Sequence, residues 1–435
     1  MTFVMTTQYN GFAYAGFQRQ SRTPPPAAAA SSVSASNSSI TTTATGKKRK
    51  QNHDSSELSR KNNKSSGNKS KNKTVLTVQD QIETALHKWT KLSISTLRVR
   101  GAGRTDKGVH ATNQVVAFDV PVSRLEIDDA NPSNDCNNSN NRKDDDDQII
   151  SSHARPLLLE AYQTWINATT SSNENQATKS FIDQWKIRRA ISTRLPNDIV
   201  LRSIRIWNGS APFEARQNVK CKTYIYKLRF RWNKMMHPIC KAGPHLLRRL
   251  NDQNTVWLSP WPLDKDILVQ ACQPFVGTHD FSNFVHKAEL KDGKSSRPSL
   301  VRRRERYKRE QQEEEEDKNN EDSKYLMNLF EFSVHLQPTD ELDTSLPPVV
   351  DATFTLKAKG FHRSQVRNLV GFVVDVARGE CKLDDARALL MEGEIDDENN
   401  NGVDEDCDKA LPTVNSAPAC GLCLANVEYE HDDFL

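Results

Sequence analysis

The stretch Arg98–Ala111 reads RVRGAGRTDKGVHA and holds the densest cluster of turn-forming and charged residues in the chain. Gly101 and Gly103 precede Asp106, and Gly108 follows it. Glycine permits a positive φ and a close approach to the backbone, so such a turn can present a carboxylate to a cleft. A polar turn without any function uses the same residue types, and turn chemistry alone leaves both interpretations open.

Two phosphate-binding motifs are excluded in this stretch. Gly103 and Gly108 have the glycine spacing of a P-loop, but Val109 and His110 stand where that motif requires Lys and Ser or Thr. Gly101 and Gly103 begin a GxG turn, but the third glycine of a dinucleotide-binding turn is missing.

The segments around the stretch alternate between strand and helix patterns. His110 to Val120 alternates as a strand does, and TYIYKLRF, within 213–230, is rich in β-branched and aromatic residues. Apolar residues recur at helical spacing behind Thr77, a predicted N-cap. A second apolar stripe runs from Val366 to Ala377, with Gly379 where a helix C-terminus favours glycine.

Composition divides the chain into core and insert. Its 435 residues are 36% hydrophobic, with a net charge of +4, and the mean hydropathy is −0.71. Residues 23–73, 123–179 and 287–323 are low-complexity or strongly charged, and 393–409 is acidic. Such segments lack the apolar side chains that offset ordering entropy, so we expect the inserts to be largely disordered.

Cysteine usage and hydropathy bear on the compartment and on metal sites. The eight cysteines are scattered, which favours a reducing compartment over a disulfide framework. Cys420 and Cys423 form a CxxC without a second pair, so no zinc site is expected. No run reaches the ~18 apolar residues of a membrane span. We expect no removable leader and no membrane association, and a location in the cytoplasm or the nucleus.

Eight segments together resemble the TruA-type tRNA pseudouridine synthases, beginning with the GRTDKGVHA motif itself. The others follow in the family's order: YNGFAYAGFQRQ (9–20), TVQDQIETAL (77–86), RLPNDIVLRS (194–203), FEAR (213–216) with KTYIY (222–226), FVGTHDFSNF (275–284), GFHRSQVRNLVGFVVDVARGE (360–380) and APACGLCLANVEY (417–429). Most of the sequence between them is the low-complexity material described above.

The resemblance implies an α+β (mixed α/β) pseudouridine synthase fold. Its two α/β halves have joined antiparallel sheets around a basic RNA-binding cleft. The first half is expected in 1–22 and 74–122, and the second in 180–286 and 324–435.

The resemblance also implies isomerisation of uridine to pseudouridine in tRNA, in the anticodon stem and loop at uridines 38–40. No cofactor and no metal is implied, and the expected partners are tRNA and a second copy in a homodimer. The alternative is a non-catalytic tRNA-binding protein or tRNA chaperone on the same fold.

Site residues are carried over position by position. Asp106 is the expected nucleophile, Arg367 pairs with it, and Tyr224 stacks on the target base and transfers a proton. Tyr226 is expected on the opposite face of that strand, in a packing role. The expected RNA-binding residues are Arg104, Lys107, Arg216 and Arg363, and Arg104 is expected to help extrude the target nucleotide.

Several positions are expected to be structural or to depart from the family. His110 and His279 are interpreted as structural, because a histidine near apolar neighbours is usually a hydrogen-bonded core residue. Asn10, Glu214 and Cys420 depart from the family's usual residues. Glu214 puts an RNA contact in doubt, because it brings an anion to the FEAR segment.

A basic tract precedes the first predicted helix. Residues 46–73 hold ten Lys and Arg against two acidic residues and include KKRK. RNA affinity, a nuclear address and a solvated linker are all compatible with this composition.

Overall fold

A ten-stranded mixed sheet organises the computed structural model of the chain. The structure describes residues 1–19, 76–125, 150–170, 184–207, 213–217, 219–232, 247–252, 254–286, 325–338, 348–390 and 411–429. The basic tract at 46–73 and the inserts 23–73 and 287–323 lie outside these residues.

The ten strands are distributed along the described chain from its first residues to its last. They are β1 (Thr2–Tyr9), β2 (Arg100–Gly101), β3 (His110–Asp119), β4 (Ile199–Ile206), β5 (Val219–Arg231), β6 (Trp257–Leu258), β7 (Gly277–Asp280), β8 (Leu326–Pro338), β9 (Val349–Ala358) and β10 (Leu422–Tyr429). Their order is β4-β1-β3-β10-β5-β9-β8-β7, with β2 added to β3 and β6 added to β5.

The two halves join through β3 and β10. This join is parallel and short, with Cys423 opposite His110 and Leu424 opposite Ala111. Within each half the principal strand pairs are antiparallel, as between β1 and β3 and between β5 and β9. The mixed α+β fold with joined sheets is therefore confirmed. The parallel join brings the residues after the Asp106 loop beside the C-terminal strand.

The helices are α1 (Val78–Thr90), α2 (Ile94–Leu97), α3 (Arg155–Thr170), α4 (Trp185–Ser192), α5 (Lys265–Gln270), α6 (Gln365–Ala377) and α7 (Asp385–Leu389). Thr77 caps α1 as predicted, because its hydroxyl accepts the Asp80 N–H at 3.2 Å. At the end of α6, Gly379 has φ +83°. Its N–H and that of Glu380 bond to the carbonyls of Val376 and Asp375, which is the Schellman arrangement.

Two boundaries differ from the sequence expectation. Helix α3 lies inside 123–179, where we expected little order. The run RPLLLEAY is apolar enough to pack, and Ile150, Ala154 and Leu158 are buried. Strand β4 lies in 180–286, assigned above to the second half, but it pairs with β1 of the first half. Local patterning identified β4 as a segment without showing which strand it would pair with.

Aromatic residues fill the core between α6 and the sheet. Phe372 of α6 lies 5.8 Å from both Phe275 and Phe284, measured between ring centroids, and Phe332 lies 6.2 Å from Phe354. Phe275 also lies 5.9 Å from Phe332, so these rings connect the middle of α6 to β8 and β9. Among the described residues, no helix is long and apolar enough to cross a membrane.

Candidate active site

The loop between β2 and β3 carries Asp106 and is held from below by the first segment of the chain. The Phe17 N–H donates to the Thr105 carbonyl at 3.2 Å, and the Tyr9 and Thr105 hydroxyls lie 2.9 Å apart. Gly16 has φ +116°, and a Cβ there would lie 2.6 Å from the Thr105 oxygen. The opening YNGFAYAGF stretch is therefore the platform on which the loop rests.

Asp106 begins a tight turn. The Val109 N–H donates to the Asp106 carbonyl at 3.1 Å, and Gly108, the third residue of the turn, has φ +79°. A side chain is strained at this φ, so the turn requires the glycine. The turn leaves Asp106 partly exposed, with 26% of its side chain accessible.

Three side chains from one segment approach the Asp106 carboxylate. Ser364 Oγ donates to Oδ2 at 3.1 Å, and Arg367 Nη1 lies 3.8 Å from the same oxygen. Arg363 Nε lies 3.8 Å from Oδ1. The two guanidinium groups provide positive charge, and among the described residues the hydroxyl provides the one direct hydrogen bond to the carboxylate.

Ser364 is a residue that sequence reasoning missed. It occupies the N-cap position of α6 with φ +60°, a left-handed conformation uncommon for a non-glycine residue. Backbone strain of this kind often accompanies functional geometry. Its only sequence signal is its position before the QVRN helix start.

Arg367 is held by the residues that precede β10. Its Nε donates to the Ala417 carbonyl at 2.7 Å, while the Ala417 N–H donates to the Arg367 carbonyl at 2.9 Å. One turn further along α6, a Cβ on Gly371 would lie 1.9 Å from the Asn415 oxygen. The segment 411–418 thus lies directly on the helix and fixes the direction in which Arg367 points.

Tyr224 of β5 lies beside this group and is buried. Its ring meets Phe361 edge to face at 5.2 Å between centroids. Burial raises the pKa of the Tyr224 phenol well above its usual value, and the negative charge of Asp106 raises it further. The phenol therefore keeps its proton at neutral pH.

Tyr226 corrects the expectation about strand faces. Residues two apart along a strand point to the same side, so Tyr226 shares the face of Tyr224. Its hydroxyl donates to the Pro418 carbonyl at 2.7 Å. This bond and complete burial give Tyr226 a packing position.

The candidate RNA-binding residues divide between two places. Arg363 lies at the carboxylate, while Lys107 is exposed on the Asp106 turn. Arg216 is in the electrostatic field of Arg104: burial, and after it the positive charge of Arg104, lower the pKa of Arg216. Sequence reasoning missed a buried lysine of β5, Lys222, which is in the electrostatic field of Arg216.

The departures and the histidines have local explanations. Glu214 lies 3.8 Å from Arg98 and 3.5 Å from Arg100, so the chain itself provides cations for this anion. His110 Nδ1 accepts the Gly11 N–H, which leaves Nε2 to donate to the Asn254 carbonyl at 2.7 Å. Burial lowers the pKa of His110, as a neutral structural imidazole requires.

The remaining departures have structural contacts. Asn10 accepts the Phe12 N–H at 3.1 Å and thereby caps the first turn. Cys420 is half-buried and lies just before β10. No group of three metal-ligating side chains occurs in the part of the chain that the structure describes. His279 Nε2 lies 3.0 Å from the Val276 carbonyl, outside the Asp106 cluster.

Comparison with known proteins gives one consistent family. Residues 271–430 match the family model described as tRNA pseudouridine synthase. A protein of Thermodesulfovibrio yellowstonii named tRNA pseudouridine synthase A is 23% identical over 81% of this chain and 90% of its own length. One of Maridesulfovibrio salexigens with the same name is 25% identical over 81% of this chain and 82% of its own.

A protein of Bacillus cereus named tRNA pseudouridine synthase A 1 is 27% identical over 50% of this chain. That match spans only 57% of the Bacillus cereus protein.

Proposed function

We propose that the chain is a TruA-type tRNA pseudouridine synthase, which isomerises uridine to pseudouridine within tRNA; the family-model match and the relatives named above support this. The observation that carries the proposal is the meeting of Asp106, Tyr224 and Arg367. The three residues come from distant segments, and Tyr224 and Arg367 lie beside the partly exposed carboxylate of Asp106.

The reaction breaks the C1′–N1 glycosidic bond, turns the uracil and forms a C1′–C5 bond. No atom is gained or lost, so the isomerisation needs no external oxidant and no group donor. A nucleophile that captures C1′ or C6 serves either route, and the carboxylate of Asp106 suits both. Arg367 and Arg363 stabilise its charge. The Arg367 pair at 3.8 Å contributes about 4 kcal/mol at an effective dielectric of ~20 before desolvation. Arg363 contributes less, because its side chain is 57% exposed and solvent screens the pair.

Tyr224 is proposed to stack on the target uracil. Base–aromatic stacking contributes about 1–3 kcal/mol, and the ring is held edge to face on Phe361. Because its phenol stays protonated beside Asp106, Tyr224 acts first as a neutral platform. To take the proton that C5 loses in the last step, the Tyr224 phenol has to pass its own proton to an acceptor, and the nearby Asp106 carboxylate is a candidate for this.

Arg104, Lys107, Arg216 and Arg363 are proposed to contact the RNA. Arg104 stands two residues from Asp106 and is exposed. A target base must leave its stack before this chemistry, at a cost of a few kcal/mol. A guanidinium at the vacated position offsets part of that cost.

Substitution of the carboxylate tests the proposal. Asp106→Asn should bind unmodified tRNA as the wild type does and form no pseudouridine, while Asp266→Asn, on exposed α5, should remain fully active. The assay maps pseudouridine in the tRNA after incubation with purified protein. Normal product from Asp106→Asn would contradict the catalytic role. A wild type that binds tRNA without forming pseudouridine would favour the alternative, a non-catalytic tRNA-binding protein or chaperone.

We further propose the anticodon stem and loop as target, a homodimer as the assembly, and the cytoplasm or nucleus as the location. Family resemblance supports the first two. The positions of pseudouridine in the assay above test the target, and sedimentation equilibrium of the full chain tests the dimer.

A further inference from the structure

A buried lysine, Lys222, stands at the foot of the catalytic loop. Only 8% of the residue is exposed, and Nζ donates to the Ala102 carbonyl at 2.8 Å. Gly103 passes directly over the ammonium, since a Cβ there would lie 3.6 Å from Nζ. Three residues later in the loop comes Asp106.

Among the residues that the structure describes, Lys222 has cationic neighbours and no anionic partner. Burial, and after it the positive charge of Arg216, together lower its pKa to about 8. Arg216 in turn lies in the field of Arg104. Within the described ranges, no carboxylate lies within ion-pair distance of any of these three cations. A buried ammonium with one bonded N–H and like charges beside it is costly unless an anion completes the site.

The acidic residue nearest to Arg216 in sequence pairs with other cations. Glu214, two residues before Arg216, is directed to Arg98 and Arg100. The segment that carries Arg216 is itself anchored, because the Phe213 carbonyl accepts from Arg100 and the Ala215 carbonyl accepts from Tyr429. These bonds anchor the segment that carries Arg216, and Arg216 and Arg104 are themselves exposed, so an anion from solvent can reach them.

The position of the site relative to the base identifies the ligand. Lys222 and Tyr224 share one face of β5 and are about 7 Å apart along the strand. If Tyr224 stacks on the target uracil, an anion bound at Lys222 is close enough to that base to belong to the same nucleotide or to the next one. Phosphodiester oxygens provide that anion, and three converging cations suit their charge.

We propose that Lys222, together with Arg104 and Arg216, binds a backbone phosphate of the RNA at or next to the target uridine. This inference rests on the proposed function, since it takes the RNA substrate and the place of its base from there. The Lys222 ammonium also donates to the Ala102 carbonyl, so the same group binds the phosphate and holds the catalytic loop.

Binding measurements with matched variants test the inference. Lys222→Met removes the charge at similar length, Lys222→Arg keeps it, and Lys227→Met alters an exposed lysine on the opposite face of the same strand. Affinity for unmodified tRNA transcript is measured over a range of salt concentrations. Lys222→Met should bind roughly tenfold more weakly, with a salt slope about one unit smaller. Lys227→Met should remain close to wild type, and Lys222→Arg should keep the wild-type salt slope.

A second measurement changes the substrate, and its first part needs only the wild-type protein. Single methylphosphonate linkages are placed in turn around the target uridine of an anticodon stem-loop. One linkage should weaken wild-type binding roughly tenfold, and the same linkage should not further weaken Lys222→Met. No sensitive linkage, or full affinity of Lys222→Met at unchanged salt slope, would overturn the inference and leave the isomerase proposal intact. A wild type that binds no tRNA would remove both.

Discussion

At the scale of single residues, the site depends on a hydroxyl as well as on charges. Asp106 Oδ2 is bonded directly by Ser364 at 3.1 Å, whereas both guanidinium groups lie at 3.8 Å. The hydroxyl therefore fixes which oxygen faces Ser364 and Arg367, while Oδ1 lies on the side of Arg363. Ser364 is a positioning residue in this arrangement, since it acts through Asp106.

Two substitutions at Ser364 separate positioning from stability. Both Ser364→Ala and Ser364→Gly lose the hydrogen bond, whose worth to a charged group is about 1.5–3 kcal/mol, so kcat should fall roughly tenfold to a hundredfold with KM little changed. Only glycine relieves the positive φ, so Ser364→Gly should be about 1 kcal/mol more stable than Ser364→Ala. Single-turnover kinetics and urea unfolding measure the two effects. Full activity of either variant would refute the positioning role.

The residues that sequence analysis could identify are those that carry a motif. Asp106, Tyr224 and Arg367 stand in recognisable segments, and the structure brings them together. Ser364 and Lys222 carry no such signal. The role of the first depends on a left-handed φ, and that of the second on burial, which arises only when the loop closes over β5.

At the scale of elements, the prediction from sequence succeeded where a helix or strand carried its own boundary signals. Helix α1 begins after Thr77, and α6 ends before Gly379, because caps are local. Helix α3 was missed because its apolar run lies inside polar low-complexity sequence. The parallel join of β3 and β10 was not predictable either, since hydrophobic periodicity does not encode strand partners.

The contact between α6 and segment 411–418 gives a prediction at this scale. A Cβ on Gly371 would lie 1.9 Å from the Asn415 oxygen, while a Cβ on Gly360 would meet nothing within 4 Å. Gly371→Ala should therefore lower the free energy of unfolding by about 1–3 kcal/mol, as overpacking does. It should also reduce kcat, because Arg367 is fixed by Ala417 in the same segment.

Gly360→Ala is the matched control and should change the free energy of unfolding by less than about 0.5 kcal/mol. Chemical denaturation and single-turnover rates at saturating tRNA measure both variants. Equal effects of the two substitutions would show that the helix and the segment can separate without loss.

At the scale of the whole molecule, the long insertion after Arg19 leaves and re-enters the folded unit at neighbouring points. The Ala15 N–H donates to the Leu76 carbonyl at 2.9 Å, and the Gln79 N–H donates to the Phe17 carbonyl at 2.9 Å. Arg19 Nε lies 2.6 Å from Asp80 on α1. The chain on both sides of residues 20–75 is therefore fastened to itself, and the fold around Asp106 does not need the insertion to close.

Deletion of residues 23–73 should thus leave the catalytic unit intact. The retained residues 20–22 and 74–75 can span about 17 Å, which suits ends this close. A shorter loop costs less closure entropy, so the free energy of unfolding should rise by roughly 1–2 kcal/mol. Pseudouridine formation at saturating tRNA should equal that of the full chain, and a lost or slowed single turnover would contradict the prediction.

Shorter deletions then separate the interpretations of the basic tract. Removing 46–73 takes away ten Lys and Arg, whereas removing 23–45 takes away only neutral residues and serves as the control. Each cation that contacts RNA adds about one unit of salt slope, so weaker tRNA binding with a smaller slope for the first deletion alone would assign the tract to RNA affinity. A changed cellular location of a fluorescent fusion, with affinity unchanged, would assign KKRK to nuclear targeting. If neither affinity nor location changes, the tract is a solvated linker, because the folded unit alone then accounts for binding as well as chemistry.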